Sequence, residues 1–374
     1  MSQKCVVNPD FWNGKRVLLT GHTGFKGSWL ALWLSELGAQ VTGVGLQPDT
    51  TPHLFDQLQL EKRLHRHQLV DIRDAEALAA IAESAEPEVV LHLAAQPLVR
   101  RSYRDPLGTW ATNVQGSLNL LEAFKLLQQP CAVVMVTTDK VYANQEWDYG
   151  YRETDRLGGH DPYSASKAGA ELAIASWRNS FCGPANHQSP HLAIATARAG
   201  NVIGGGDWAE DRIVPDAIRA LAAGEAIPVR NPEATRPWQH VLEPLSGYLR
   251  LAEALADSHG RELVNPYATA FNFGPLLEAN RPVRDLITEA LQHWPGQWQD
   301  LSDPKAPHEA GRLHLQVDKA HHQLGWQPRW PFATTVKRTV DWYRTVHQAP
   351  EQAEACCLAD LAAYTACHQP SPLS

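Results

Sequence analysis

The chain has 374 residues, of which 44% are hydrophobic, so it can bury a sizeable core in one large α/β unit or two moderate domains. Its formal net charge of −8 and the lack of a basic cluster exclude a typical nucleic-acid-binding protein. No apolar run reaches ~18 residues, the amino terminus lacks a signal-peptide core, and the cysteines include no CxxC pair, so we expect a reduced, cytoplasmic protein.

The first half of the chain alternates between strand-like and helix-like segments. Predicted strands cover 16–20, 40–46, 67–70, 88–93, 131–136 and 192–199, and predicted helices cover 28–37, 74–84, 113–127 and 164–178. This alternation is typical of a Rossmann-type doubly wound parallel sheet with helices on both faces. We expect residues 1–200 to form this dinucleotide-binding domain.

Beyond residue 200 the pattern loosens, and Gly and Pro become frequent. Predicted helices at 214–223 and 282–293 are separated by irregular stretches. We therefore expect residues 201–348 to form mostly a smaller C-terminal α/β substrate domain on the carboxyl edge of the sheet. Residues 349–374 are expected to form a peripheral tail.

A glycine-rich turn, TGHTGFKG at 20–27, joins the first predicted strand to the first predicted helix. Its glycines allow a tight turn and a close approach of a pyrophosphate to the helix amino terminus. An ordinary glycine turn is the alternative for the isolated motif, but the strand before it and the helix after it favour a dinucleotide site. No carboxylate ends the second strand before Asp49 and no arginine follows it, so we expect NAD rather than NADP. Asp71 is expected either to meet the adenine amine or to start the helix that follows.

Tyr163 and Lys167 lie four residues apart in PYSASKAG, on one face of a predicted helix. A nearby ammonium, together with the nicotinamide charge, lowers the pKa of a phenol, so Tyr163 is a candidate base toward a sugar hydroxyl. Such a pair also occurs by coincidence on surface helices. Here it follows a glycine loop and a strand that ends near Thr138, and this order favours catalysis.

Several stretches together resemble the extended short-chain dehydrogenase/reductase family over most of the chain. They are TGHTGFKG at 20–27, HLAAQP at 92–97, TNVQGSLNLLEA at 112–123, TTDKVY at 137–142 and YSASK at 163–167. The longer stretch RAGNVIGGGDWAEDRIVPD at 198–216 resembles the sugar-nucleotide 4,6-dehydratases of that family, and among them the subgroup that acts on CDP-glucose. The resemblance implies a retained NAD, loss of water from CDP-glucose, and a homodimer formed through two helices.

The resemblance also assigns roles to individual residues. The catalytic set is Thr138, Asp139, Lys140, Tyr163 and Lys167. The cofactor set is Gly21, Thr23, Gly24, Phe25, Lys26, Gly27, Asp71, Ile72, Leu93, Ala94, Ala95 and Asn113, with Tyr163 and Lys167. The substrate set is Gln96, Thr138, Asn201, Arg212, Arg236 and His240. Surface ion pairing is the alternative for the two arginines, and packing is the alternative for His240. No metal ligand is expected, because His65-Arg-His67 and His321-His322 lack matching acids or cysteines and suit a solvated surface.

In the implied mechanism, Tyr163 takes the C4 hydroxyl proton while hydride passes from C4 to NAD. Asp139 then protonates the departing C6 hydroxyl, and hydride returns to C6. Lys140 stands where the dTDP-sugar relatives have a glutamate that removes the C5 proton. Our hypothesis is that Lys140 is this base, with partial burial, Lys167 and the nicotinamide charge favouring its neutral form against the influence of Asp139. The alternative is a permanent Lys140–Asp139 ion pair.

Two other functions remain open at this point. A sugar-nucleotide 4-epimerase shares the glycine loop and the Tyr163–Lys167 pair, but it needs no water elimination and hence no acid–base pair after Thr138. A cofactor-sensing protein without catalysis would not need an intact Thr138, Tyr163 and Lys167.

Overall fold

The computed structural model describes residues 7–125, 127–183, 188–259, 264–302 and 311–366. Its strands are β1 (Arg16–Thr20), β2 (Gln40–Gly45), β3 (Arg66–Leu69), β4 (Val89–His92), β5 (Cys131–Val136), β6 (Leu192–Ala199), β7 (Val202–Ile203), β8 (Ile227–Val229), β9 (Thr235–Pro237), β10 (Gln239–His240), β11 (Ala270–Phe273), β12 (Asn280–Pro282) and β13 (Trp298–Asp300). Its helices are α1 (Pro9–Trp12), α2 (Phe25–Glu36), α3 (Leu54–Gln57), α4 (Ala75–Ala85), α5 (Val99–Arg104), α6 (Pro106–Trp110), α7 (Gly116–Phe124), α8 (Pro162–Phe181), α9 (Ile213–Ala223), α10 (Leu242–Asp257), α11 (Val283–His293), α12 (Asp318–Leu324), α13 (Phe332–Gln348) and α14 (Ala353–Ala366).

In the described part of the chain, the central sheet has seven strands in the order β11-β6-β5-β4-β1-β2-β3. Every neighbouring pair in it is parallel. The order reverses between β1 and β4, as in doubly wound dinucleotide-binding folds, where such a reversal opens a crevice for the ligand. The predicted Rossmann-type sheet is confirmed.

Alternate residues along the strands face two separate hydrophobic clusters. In β1, Val17 and Leu19 belong to one cluster and Leu18 to the other, and in β5 Val134 and Val133 divide in the same way. This follows from the two-residue period of strand side chains. The first cluster contains residues of α2 and α10, and the second contains residues of α4, α7 and α8. Helices therefore cover both faces, as predicted.

The chain leaves the sheet after β6 and later returns to it. Helix α10 packs on the face of β5 and β6, and β11 then pairs in parallel with β6, with Phe271 opposite Ala197. Three two-stranded sheets, β10-β7, β12-β9 and β13-β8, lie outside the central sheet. The domain predicted for residues 1–200 therefore lacks α10 and β11. Both join the sheet through contacts between distant segments, which no local sequence pattern reveals.

Predicted and observed elements differ mainly at helix ends. Helix α8 begins at Pro162, earlier than predicted, because the Asp161 carboxylate accepts a hydrogen bond of 2.9 Å from the Ser164 amide and caps the helix. Residues 111–115 form a π-helical turn that leads directly into α7. No helix in the described ranges is both long and apolar enough to cross a lipid bilayer.

The carboxy-terminal segment is not peripheral where it is described. Ala353, Cys357 and Tyr364 of α14 are buried, because that face of the helix packs against the core. Residues 367–374 of the predicted tail lie outside the described residues.

Candidate active site

A cleft of about 1410 Å³ runs along the carboxyl ends of the parallel strands. Its walls include the residues that follow β1, β2, β4 and β5, together with most of residues 199–216 after β6. Ligands of open α/β sheets bind at this edge, where the strand order reverses. The topology thus gathers segments that lie far apart in the sequence around one cavity.

The glycine loop forms one wall of this cleft, and its backbone leaves no room for a side chain at Gly21 and Gly27. Gly21 has φ +73°, and a Cβ there would lie 2.7 Å from the Ala94 amide nitrogen. A Cβ at Gly27 would lie 2.0 Å from the Gly21 carbonyl oxygen. No side chain caps the amino terminus of α2, which begins after Gly24. The cradle and the helix terminus fit the pyrophosphate of a dinucleotide.

The rest of the predicted cofactor set, apart from Asn113, also lines the cleft. Thr23 donates a hydrogen bond of 2.8 Å to the Leu46 carbonyl, which fastens the glycine loop to the end of β2. The other members that line the cleft are Phe25, Lys26, Asp71, Ile72, Leu93, Ala94, Ala95, Tyr163 and Lys167.

His22, within the glycine loop, was not identified from the sequence as a site residue. It is fully buried, and its Nε2 lies 2.7 Å from Nδ1 of His67. A Cβ at Gly43 would lie 2.5 Å from the His22 ring, so this glycine of β2 makes room for the imidazole. Burial lowers the pKa of His22 to about 4. The prediction of a solvated His67 is wrong, because its ring stacks on Phe55 and bonds to His22.

Two arginines reach the end of the cleft beside β2 from other parts of the chain. Arg73 pairs with Asp71 at 2.6 Å, and Arg101 pairs with Asp49 at 3.6 Å. The hydrogen bonds from Arg73 hold the pKa of the Asp71 carboxyl below its usual value. Asp74, rather than Asp71, caps α4, so the proposed helix-capping alternative for Asp71 is wrong.

The predicted catalytic residues meet where β5 ends against α8. Thr138 and Asp139 are buried, and the Thr138 hydroxyl donates a hydrogen bond of 3.0 Å to the Asp139 carboxyl. The Tyr163 hydroxyl is hydrogen-bonded to the Thr138 side chain. Lys167 donates a bond of 3.3 Å to the Val136 carbonyl. Lys140 is half-buried in the same cleft wall, so the structure brings together all five residues.

Burial dominates the electrostatics of this centre. Desolvation raises the pKa of Asp139, although Lys140 and Arg236 oppose the shift, so its proton is held more tightly than that of an exposed carboxyl. Desolvation also raises the pKa of Tyr163 to about 12. The predicted lowering of the phenol pKa is therefore absent in the chain alone. Desolvation lowers the pKa of Lys167 to about 8.

A buried ion pair behind the catalytic centre fixes α8 to the sheet. The Glu171 carboxylate accepts two hydrogen bonds of 2.9 Å from Arg198 of β6, and others from Thr137 and Thr196. Burial alone would raise the pKa of Glu171, but the bonds and charge of Arg198 lower it. Glu171 follows Lys167 by one helical turn, and its negative charge opposes the lowering of the Lys167 pKa. Glu171 and Arg198 lie on separate elements, so no local pattern predicts their pairing.

Four of the predicted substrate residues besides Thr138 line the cleft: Gln96, Asn201, Arg212 and Arg236. Arg212 is held by the Asp207 carboxylate at 2.8 Å, and the charge of Asp207 raises the pKa of the guanidinium. Arg236 donates to the Thr235 carbonyl at 2.9 Å. Guanidinium groups suit phosphate oxygens, so this wall can bind an anionic ligand.

Comparison with known proteins agrees with this geometry. A family profile described as GDP-mannose 4,6 dehydratase matches residues 18–339. The chain belongs to this family. A CDP-glucose 4,6-dehydratase of Salmonella typhimurium is 46% identical to it over 340 residues, which cover 91% of this chain and 93% of the relative.

Solved structures of related proteins share the fold. A dTDP-glucose 4,6-dehydratase of Streptomyces venezuelae with NAD bound has a TM-score of 0.71 and 26% identity, covering 90% of this chain and 99% of that one. A UDP-glucose 4-epimerase of Thermotoga maritima has a TM-score of 0.74 and 22% identity, covering 88% and 99%. The predicted membership of the extended short-chain dehydrogenase/reductase family is confirmed.

Two predicted site residues of this family member lie outside the cleft lining, among the described residues. Asn113 is buried and bonds to the Gln96 backbone and, at 2.9 Å, to the Ser166 hydroxyl, so it supports the site rather than touching a ligand. His240 is fully buried between Trp29 and Trp330. The alternative of a packing role for His240 is the one that the structure supports. Across the described ranges, no group of three or more side chains is placed to hold a metal ion.

Proposed function

We propose that the protein is a CDP-glucose 4,6-dehydratase, which converts CDP-D-glucose to CDP-4-keto-6-deoxy-D-glucose and water and retains NAD as its cofactor. The observation that carries the proposal is the buried Asp139 carboxyl, held by Thr138 beside Tyr163 at one end of the cleft. An epimerase needs no acid to expel water, whereas a dehydratase does. The identity to the Salmonella typhimurium enzyme supports cytidine as the base.

The first chemical step uses Tyr163, Thr138 and Lys167. Bound NAD supplies the acceptor for the C4 hydride and its donor back to C6. Tyr163 removes the proton of the C4 hydroxyl, and Thr138, already bonded to Tyr163, orients that oxygen. Because burial raises the pKa of Tyr163, its deprotonation requires positive charge nearby, which Lys167 supplies in part from the next helical turn.

The elimination step uses Asp139 and Lys140. Oxidation at C4 makes the C5 proton acidic, and Lys140 removes it from its half-buried position in the cleft wall. Asp139, whose pKa is raised by burial, acts as the acid and gives a proton to the departing C6 hydroxyl. The proton gained by Lys140 and the proton lost by Asp139 balance, and water leaves.

The anionic part of the substrate is bound by Arg212, Arg236 and Asn201, which all line the cleft. Arg212 is held in place by Asp207, so its guanidinium loses little freedom when a diphosphate binds.

We also propose a homodimer formed through α5, α6 and α8, which pack on one another. Exposed apolar side chains occur on these helices: Tyr103, Leu107, Trp110 and Leu172. From the sequence, the small residues Ala165, Ala168 and Ala170 are expected to permit close helix packing. Ala168 and Ala170 are buried within the protomer, and Ala165 is half-buried. A Leu107→Asp, Leu172→Asp double variant is expected to elute as a monomer in light-scattering chromatography. A wild-type monomer would contradict the dimer.

The function is tested by incubating the purified protein with CDP-, dTDP-, GDP- and UDP-glucose. We expect CDP-glucose to lose the mass of one water and to give a 4-keto product that absorbs in alkali, without net consumption of NAD. Equal turnover of dTDP-glucose would overturn the cytidine assignment. Isomerisation without loss of mass would favour the epimerase, and stoichiometric build-up of reduced cofactor would contradict internal hydride return.

A further inference from the structure

Helix α14 lies beyond the part of the chain that matches the family. The match ends at residue 339, whereas α14 spans Ala353–Ala366. Nevertheless Cys357 is fully buried and Asp360 and Tyr364 are almost so. A peripheral helix would bury apolar residues alone, because burying a polar group is costly unless it is paired. These three residues therefore indicate a specific docking site for α14.

Tyr364 attaches α14 to α10, the helix that follows β10. Its hydroxyl donates a hydrogen bond of 2.7 Å to Glu243 at the start of α10. The other oxygen of Glu243 accepts from the backbone amides of Arg329 and Trp330, at 2.9 and 2.7 Å. The ring of Tyr364 contacts Trp33 of α2 edge-on. One side chain of α14 thus joins α10, α2 and the 329–330 segment.

Asp360 fastens α14 to β10. One of its oxygens accepts a hydrogen bond of 3.0 Å from Arg338, and the other lies 3.9 Å from Nε2 of His240. His240 pairs with Ile203 of β7. Strand β7 begins immediately after the predicted substrate residue Asn201. A polar side chain of α14 therefore lies close to the strand pair behind the substrate wall.

Cys357 is linked to the segment around Gly205, behind the substrate wall, through a hydrogen bond with Trp342. Trp342 of α13 donates to the Cys357 sulfur at 3.2 Å, and its ring packs so closely on Gly205 that a Cβ there would be 2.0 Å from it. Trp29 donates a hydrogen bond of 2.9 Å to the Gly205 carbonyl. Two residues later, Asp207 holds Arg212. The backbone just before Arg212 therefore contacts two tryptophans, one of which is bonded to α14.

We infer that α14 is a positioning element of the substrate site, which fixes β7, β10 and residues 204–212 so that Arg212 and Asn201 face the diphosphate of a sugar nucleotide. The inference rests on the proposed function only for the identity of that ligand. The residues of α14 touch neither substrate nor cofactor. Their loss should therefore weaken substrate binding and leave the chemical step and cofactor binding unchanged.

The test compares Asp360→Asn and Tyr364→Phe with the wild type, each as the NAD-loaded enzyme. Both changes nearly keep the volume of the side chain, so the fold should persist. Tyr364→Phe removes the hydroxyl contacts to Glu243 and Ser246, and Asp360→Asn removes the carboxylate charge that faces Arg338. We expect the KM for CDP-glucose and the dissociation constant of CDP by calorimetry to rise about 5- to 20-fold, since a buried hydrogen bond or charge contact is lost. We expect kcat to stay within about twofold, because the reacting groups are not touched. The control is Thr365→Ala, on the exposed face of α14, which should match the wild type.

Amide hydrogen exchange separates positioning from general stability. In both variants we expect faster exchange confined to residues 201–212 and β10, with β1 and β5 unchanged. Equal acceleration in β5, or an unchanged KM and exchange in both variants, would overturn the inference. If the wild type binds no CDP, the proposed function fails, whereas faster exchange confined to 201–212 would still support the positioning role.

Discussion

Tyr163 shows how the surroundings of one residue set the conditions for its chemistry. Its spacing from Lys167 is readable in the sequence, and both residues line the cleft. Burial nevertheless raises the pKa of the phenol to about 12, the opposite of the shift that a base needs. In the proposed mechanism Tyr163 therefore becomes a base only in the loaded site, where additional positive charge offsets the desolvation.

Replacing Tyr163 with Phe is expected to reduce oxidation at C4 by about 10²–10⁴-fold, because a positioned proton acceptor is removed. Rapid-quench measurement of the first half-reaction, with NAD binding measured separately, checks this. Cofactor affinity should be retained, since the ring remains. Near-normal oxidation would show that another group takes the proton.

Replacing Lys140 with Met should stop the reaction after oxidation at C4. The half-buried amine is lost while the adjacent Asp139–Thr138 bond remains, so reduced cofactor should accumulate without loss of water. With C5-deuterated CDP-glucose, the variant should wash out no deuterium. Lys62→Met, in an exposed turn away from the cleft, serves as the control. Water loss at the wild-type rate would leave Lys140 as a loop residue only.

At the scale of elements, the segment after β2 and the neighbouring helix α5 together decide cofactor preference. The sequence places no arginine after β2, but the fold brings Arg101 of α5 into an ion pair with Asp49. Arg73 is likewise paired with Asp71. The negative charges of Asp49 and Asp71 at this end of the cleft would repel the 2′-phosphate of NADP. The arginines that could neutralise this phosphate are already paired with those two carboxylates.

We therefore expect NAD to bind more tightly than NADP. The Asp49→Asn variant should reduce the difference between the two dissociation constants, because it frees Arg101 to contact the 2′-phosphate. Titration of the apoprotein with each cofactor measures the two dissociation constants. The control is Glu76→Gln, at an exposed position of α4, which removes one negative charge just as Asp49→Asn does. Tighter binding of NADP by the wild type would contradict the assignment.

At the scale of the whole molecule, the buried Glu243 couples stability to pH. Burial raises its pKa to about 7, above its usual 4.5, against the opposing effect of its hydrogen bonds. The folded protein therefore binds this proton more tightly than the unfolded chain does. The resulting stabilisation is complete below pH 4.5 and is lost as the pH rises through about 7.

Glu243→Gln, which mimics the protonated group at every pH, should remove this dependence. Between about pH 5 and about pH 7.5 the wild type should lose roughly 2–3 kcal/mol of unfolding free energy relative to the variant. Urea denaturation at a series of pH values measures the difference. Burial also raises the pKa of Asp360 to about 6. Because Asp360 is present in both the wild type and the variant, its contribution to the pH dependence cancels when their unfolding free energies are compared. Parallel curves would show that Glu243 does not titrate in this range.

Features that depend on neighbouring residues were predictable from local patterns. The alternation of short apolar runs with amphipathic segments predicted the parallel sheet, and the observed β1, β5 and β6 have the predicted bounds. The glycine spacing located the cradle at Gly21 and Gly27. The Tyr163–Lys167 spacing located the catalytic helix, because one turn of a helix places both side chains on the same face.

Features that depend on contacts between distant segments and on the exclusion of water became visible in the folded chain alone. The return of β11 to the sheet, the Arg101–Asp49 pair and the docking of α14 each join residues that no local pattern connects. His240 looked like a ligand-binding residue until its burial was visible. Desolvation, which raises the pKa of Asp139 and Tyr163, is a property of the packed molecule, since each segment alone would leave these groups in water.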